Sequence, residues 1–147
     1  MKFARSIILT LVLMLSLATV ASATPLNQDF SEPANNSPLT TYQFSQNEVH
    51  SWIQSPTDID FWNFVSPKTV VQQIWLQPPS GTFYELAIFE YPGGSSLAHV
   101  FAYGGTASLL YVYLQAGKKY SIMIKSHNGS YDDTSTNFYT VGLPGLF

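Results

Sequence analysis

Beyond position 40 the chain reads as short apolar runs broken at close intervals by turn-forming clusters. At 84–90 the order is Tyr-Glu-Leu-Ala-Ile-Phe-Glu, and at 108–114 it is Ser-Leu-Leu-Tyr-Val-Tyr-Leu. Side chains alternate between the two faces of a strand, so a period of two marks a strand with one face buried. The pattern predicts strands over 42–44, 49–54, 61–65, 70–77, 84–90, 98–103, 108–114, 119–125 and 138–143. Between them stand Ser55-Pro56-Thr57-Asp58, Pro78-Pro79-Ser80-Gly81, Pro92-Gly93-Gly94, Gly104-Gly105, Ala116-Gly117 and Asn128-Gly129. Each cluster supplies a preset bend or freedom in φ. No stretch carries a helical period, and no fixed-length repeat is found. The expected fold is all-β, a jelly-roll-like antiparallel sandwich of eight or nine strands.

The same alternation sorts side chains. Leu86, Ile88, Leu110, Val112, Leu114, Ile122, Ile124, Val141 and Leu143 form inward sets, and Trp62 shares a core-directed face with Asp60 and Phe64. If those aliphatic residues point inward, Trp75, Phe83, Phe89, Tyr111 and Tyr113 alternate outward as an aromatic strip. Such rings could stack on sugars or dock an extended protein. Packing under loops, under the leader or against a partner chain is equally compatible with the pattern.

The first 40 residues are different. Lys2 and Arg5 precede an apolar run from Ile7 to Leu17, and Ala21-Ser22-Ala23 follows. That is the layout of a cleavable signal peptide, and the run is short of the roughly 20 apolar residues that span a bilayer. The reading is export to the extracellular space with no stable membrane anchor. Residues 24–40 are polar and carry Pro25, Pro33 and Pro38, the composition of an extended leader or linker. The chain is therefore divided into a signal peptide (1–23), a leader (24–40) and one sandwich domain (41–147).

Composition narrows the chemistry. There is no cysteine, which removes disulfides, thiol catalysis and Cys-based zinc sites. Six basic residues face nine acidic ones, and only Lys118-Lys119 are adjacent, so nucleic acid is not an expected partner. His50, His99 and His127 are scattered and belong to no metal-binding helix motif. Gly93-Gly94-Ser95-Ser96 is not a nucleophile elbow, and Glu85 and Glu90, five apart, fall on opposite strand faces. These absences point away from an enzyme.

Asp58 and Asp60 are the sharpest candidate for chemistry. An extended backbone directs both carboxylates to one side, where they repel unless a cation or donors intervene. The alternative is that Asp58 caps the turn after Pro56 while Asp60 bonds backbone amides at the start of a strand. Tyr131-Asp132-Asp133-Thr134 reads as a solvated turn.

Four segments in order resemble the bacterial prepeptidase C-terminal domain family: 32–38, 58–64, 84–89 and 114–122. They read Glu-Pro-Ala-Asn-Asn-Ser-Pro, Asp-Ile-Asp-Phe-Trp-Asn-Phe, Tyr-Glu-Leu-Ala-Ile-Phe and Leu-Gln-Ala-Gly-Lys-Lys-Tyr-Ser-Ile. Glu85 stands where that family more often has Asp, and no peptidase domain precedes the module. The resemblance implies a small secreted sandwich related to collagen-binding domains of secreted collagenases. It also implies a calcium shell in which Glu32, Asn35 and Asn36 fold over Asp58 and Asp60. The partners implied are a collagen-like or cell-wall polymer, an extracellular protein, or a secreted peptidase assisted or inhibited in trans. The expected function is that of a non-catalytic binding or accessory module.

Overall fold

The computed structural model describes residues 26–27, 35–132 and 137–147. Nine strands are formed: β1 (Leu26–Asn27), β2 (Glu48–Ser51), β3 (Ile59–Val65), β4 (Val70–Gln77), β5 (Phe83–Glu90), β6 (Ser96–Tyr103), β7 (Ser108–Leu114), β8 (Lys119–Ser126) and β9 (Tyr139–Gly142). They make two sheets, one in the order β1-β2-β9-β4-β7 and the other β3-β8-β5-β6. The two-residue β1 pairs parallel to β2, and every other ladder is antiparallel. The protein is an antiparallel β-sandwich, as its patterning predicts.

The alternation that predicts strands also fills the core. Leu86, Ile88, Leu110, Val112, Leu114, Ile122, Ile124, Val141 and Leu143 are all buried, with Trp62, Phe64, Tyr84 and Tyr139 supplying the largest volumes. Each such side chain removed from water contributes about 1.5–3 kcal/mol. Gly104 and Gly105, at φ of 59° and 74°, turn the chain from β6 in one sheet to β7 in the other. The left-handed region they occupy favours glycine over residues bearing a Cβ.

Two expected strands are altered. Residues 42–44 form no strand: Gln43 makes a single parallel bridge to Asn63. Asn63 N donates to Tyr42 O at 3.0 Å and Phe44 N to Asn63 O at 2.5 Å, while Phe61 N donates to Asn35 O at 2.8 Å. The segment 35–44 thus lies along the outer edge of β3 as a strap, too irregular to build a ladder. The second, 49–54, ends at Ser51 because the chain then bends into the turn held by Asp58; Ile53 retains only an isolated bridge to Asp132. Parts of the polar leader are therefore docked on the domain, at β1 and at 35–40.

Candidate ligand-binding face

The five aromatic residues predicted to point outward do not form one strip. Alternation fixes the face of a strand and leaves open which sheet the strand joins. Trp75, Tyr111 and Tyr113 lie on the five-stranded sheet, whereas Phe83 and Phe89 lie on β5 in the four-stranded sheet, on the opposite side of the sandwich. Phe89 is half-buried and lines an apolar cleft with Pro38, Phe61, Pro92 and Met123.

On the five-stranded sheet, β4 and β7 set Val71 opposite Tyr113, Gln73 opposite Tyr111 and Trp75 opposite Leu109. Tyr111 and Tyr113 are 63% and 58% exposed, and Val71 and Leu109 are exposed beside them. The Tyr111 hydroxyl donates to Gln73 Oε1 at 3.3 Å. Trp75 is half-buried and sits opposite Gly142 of β9, where a Cβ would collide with its Nε1 and Cε2 atoms. Glycine weakens a strand interior, and its place here is explained by the indole lying against the backbone. The outward positions of β4, β7 and β9 (Val71, Gln73, Trp75, Gln77, Leu109, Tyr111, Tyr113, Thr140 and Gly142) include no charged residue. Sequence patterning missed Gly142, although an isolated glycine in a strand is itself a signal of close approach.

The outer face of the four-stranded sheet is organised otherwise. Phe83 meets Phe101, Tyr103 and His127 at ring-centroid distances of 5.8, 5.7 and 4.6 Å. Phe101 in turn meets His99 at 5.7 Å and His127 at 4.7 Å. These tilted and edge-on contacts are the preferred geometry of quadrupolar rings. Charge is present too, in the Lys125–Glu85 pair at 3.2 Å, and Lys119 lies 3.7 Å above the Tyr91 ring centroid.

The acidic pair lies between the sheets at one end. Asp60 is fully buried; its Oδ2 accepts from the Tyr139 hydroxyl at 2.5 Å and its Oδ1 from Asn35 Nδ2 at 2.5 Å. Trp62 Nε1 donates to the Tyr139 oxygen at 2.9 Å. A buried carboxylate is costly unless it is hydrogen-bonded, and here Tyr139 of β9 and Asn35 of the strap donate to it, while Trp62 of β3 donates to the Tyr139 oxygen. Burial, and then the Asp60 charge, hold the Tyr139 phenol well above its ordinary value, and burial pushes Tyr84 up to about 12. Asp58 closes the preceding turn, its Oδ2 accepting from Gln54 N at 2.7 Å, whereas Asp60 bonds the side chains of Tyr139 and Asn35 where backbone amides are the expected partners. Burial raises its pKa above 3.8, against the lowering effect of backbone hydrogen bonds.

Of the candidate calcium ligands, Glu32 lies outside the described residues. Asn35 is buried and Asn36 exposed. Asn35 Oδ1 and Asp58 Oδ1 are buried without a hydrogen-bond partner, and both are hard oxygen donors of the kind calcium takes. Among the described residues no group of three or more His, Cys, Asp or Glu is placed to hold a metal. Asp132 accepts from Asn137 at 3.0 Å. Glu85 and Glu90 are taken up by Lys125 and Lys118.

Fold and surface together define a β-sandwich with a ring-bearing face that carries no charged residue at its β4, β7 and β9 positions, with Glu48 of β2 beside it. No protein-family model matches the chain, and no curated protein matches it in sequence. Solved structures are similar at low identity. A periplasmic inhibitor of g-type lysozyme from Aeromonas hydrophila is 11% identical over 80% of this chain and 92% of its own, with a TM-score of 0.42. Its Salmonella Typhimurium counterpart is 18% identical over 80% and 94%, with a TM-score of 0.37. A surface-associated copper-binding protein of Methylomicrobium album BG8 is 8% identical over 82% and 98%, with a TM-score of 0.40. Likeness at these scores carries no function from one protein to another.

Proposed function

We propose that the chain is a secreted, non-catalytic module that recognises an extracellular polymer or protein through the outer face of its five-stranded sheet. The observation that carries this reading is the run of Trp75, Tyr111 and Tyr113 on a face with no charged side chain across β4, β7 and β9. Large rigid rings bury much area at small entropic cost, and contiguous exposed apolar surface marks interaction sites. The resemblance to prepeptidase C-terminal domains agrees with this assignment.

The test is retention of the purified domain on immobilised extracellular polymers and proteins, repeated with the double variant Tyr111→Ala/Tyr113→Ala. The variant is expected to lose retention and keep its melting temperature. Equal retention by the two proteins would overturn the reading. A stoichiometric complex with a secreted peptidase, formed equally by the variant, would replace it with the in-trans role.

Calcium belongs to the same proposal as a structural ion. Its support is the pair of unpartnered buried oxygens on Asn35 and Asp58, with Glu32, Asn36 and Asp60 as the remaining candidate ligands. A ligand that binds only the folded state raises its stability. Millimolar calcium is expected to raise the melting temperature over that in chelator, and Asp58→Asn to abolish the rise. No rise in the parent protein removes calcium from the proposal.

A further inference from the structure

The outer face of the five-stranded sheet carries more than exposed rings. Trp75, Tyr111 and Tyr113 occupy three successive registers of β4 and β7: Trp75 opposite Leu109, Gln73 opposite Tyr111 and Val71 opposite Tyr113. Residues two apart on a strand are separated by roughly 7 Å, so the rings step diagonally along the face over a distance of this order per ring. Among the described residues none of the three is stacked on another ring, in contrast to Phe83 and Phe101 on the other sheet. Tyr111 and Tyr113 keep exposed ring surface, and Trp75, with its indole against Gly142, is half-exposed.

Beyond Trp75 the same face changes character. Gln77 follows on β4 in the same orientation, paired with Thr140 of β9, and these two line a cleft with Pro79, Ser80, Asn137 and Phe138. Gln77 Nε2 is held by Gly105 O at 2.9 Å. The cleft offers amide and hydroxyl groups, and no residue lining it is ionised. On β2, beside Gly142 and Thr140, the Glu48 carboxylate meets His50 Nε2 at 2.7 Å.

We infer that the ligand of this face is an uncharged polysaccharide, its sugar rings stacked on Tyr113, Tyr111 and Trp75 and a further sugar received in the cleft at Gln77 and Thr140. The inference rests on the reading of this face as the binding surface. A pyranose presents a face of C–H groups and a rim of hydroxyls. The first matches ring faces and the second matches amides and hydroxyls. An anionic polymer would meet no counter-charge on β4, β7 or β9, and would leave its own charges desolvated against rings.

The probes are insoluble cellulose, chitin and a β-1,3-glucan, beside an anionic polysaccharide and immobilised collagen. The parent domain is expected on at least one neutral glycan. Tyr111→Ala and Trp75→Ala are each expected to weaken that binding by about tenfold or more, the scale of a central aromatic anchor. Gln77→Ala should lower it less, and Phe101→Ala, on the far sheet, should leave it unchanged. Melting temperatures establish that each variant is folded. Retention on collagen or on the anionic polymer alone, lost in Tyr111→Ala, overturns the glycan assignment and leaves the binding face standing. Retention on a neutral glycan that is indifferent to Tyr111 and Trp75, or retention on none of the probes, overturns both.

Discussion

The two outer faces of the sandwich are built from the same residue types and put them to opposite use. On the four-stranded sheet, Phe83, Phe101, Tyr103, His99 and His127 pack against one another, so the rings answer one another's quadrupoles. On the five-stranded sheet, Tyr111 and Tyr113 meet no other ring among the described residues, and Trp75 is seated on Gly142. Aromatic content alone therefore does not mark a binding surface. The proposed binding surface differs in having exposed rings without ring partners among the described residues, one of them seated on backbone.

Both faces depend on one buried connection, and removing it gives the largest expected effect. The Tyr139 hydroxyl joins β9 of one sheet to Asp60 on β3 of the other and accepts from Trp62. Tyr139→Phe leaves a buried carboxylate short of a donor and an indole N–H short of an acceptor, at a cost of about 3 kcal/mol. Chemical denaturation should show this loss, with ring signals from both faces disappearing in one transition. Separate transitions would mean that the sheets are not coupled through this bond.

Next in size is the double variant Phe101→Ala/Tyr103→Ala. It removes ring pairs worth about 0.5–1.5 kcal/mol each, so the melting temperature should fall by several degrees. Tyr111→Ala/Tyr113→Ala should leave it nearly unmoved while abolishing retention. Reversal of these outcomes would exchange the roles of the two faces.

Gly142→Ala sharpens the contrast within the proposed binding face. The added Cβ displaces the Trp75 indole at an overpacking cost of about 1–3 kcal/mol, and retention should fall with it. Tryptophan fluorescence reports the displacement, and an unchanged spectrum would show that the indole is not seated there.

The smallest effect concerns Asp58. Its folded pKa is raised, so the folded state holds the proton more tightly than the unfolded chain does. The stability this group contributes is fully present below the unfolded value near 3.8 and is lost as pH rises through the raised folded value. In chelator at neutral pH, Asp58→Asn removes the buried charge and keeps an acceptor for Gln54, so stability should rise slightly. The advantage should vanish on acidification below the unfolded value. An advantage that persists there would assign the effect to packing.

The strands and the core were legible because both follow from a local period of two. Val70–Gln77 and Ser108–Leu114 fall where alternation places them, and the aliphatic inward sets are buried throughout. The division of rings between faces was hidden, since Phe83 and Trp75 look alike until sheet order is known. Asp60 was hidden for the same reason: its donors Tyr139 and Asn35 lie 79 and 25 residues away. Gly142 was readable in principle, as a glycine amid strand formers, but its partner Trp75 belongs to another strand.

The strap at 35–44 bears on how the molecule keeps to itself. It occupies backbone groups of Phe61 and Asn63 on the outer edge of β3, and the Thr41 hydroxyl bonds the Phe61 carbonyl. An uncovered strand edge is a template on which another chain can add. The strap thus covers the edge of β3, and an edge left open without it would offer those backbone groups to another chain.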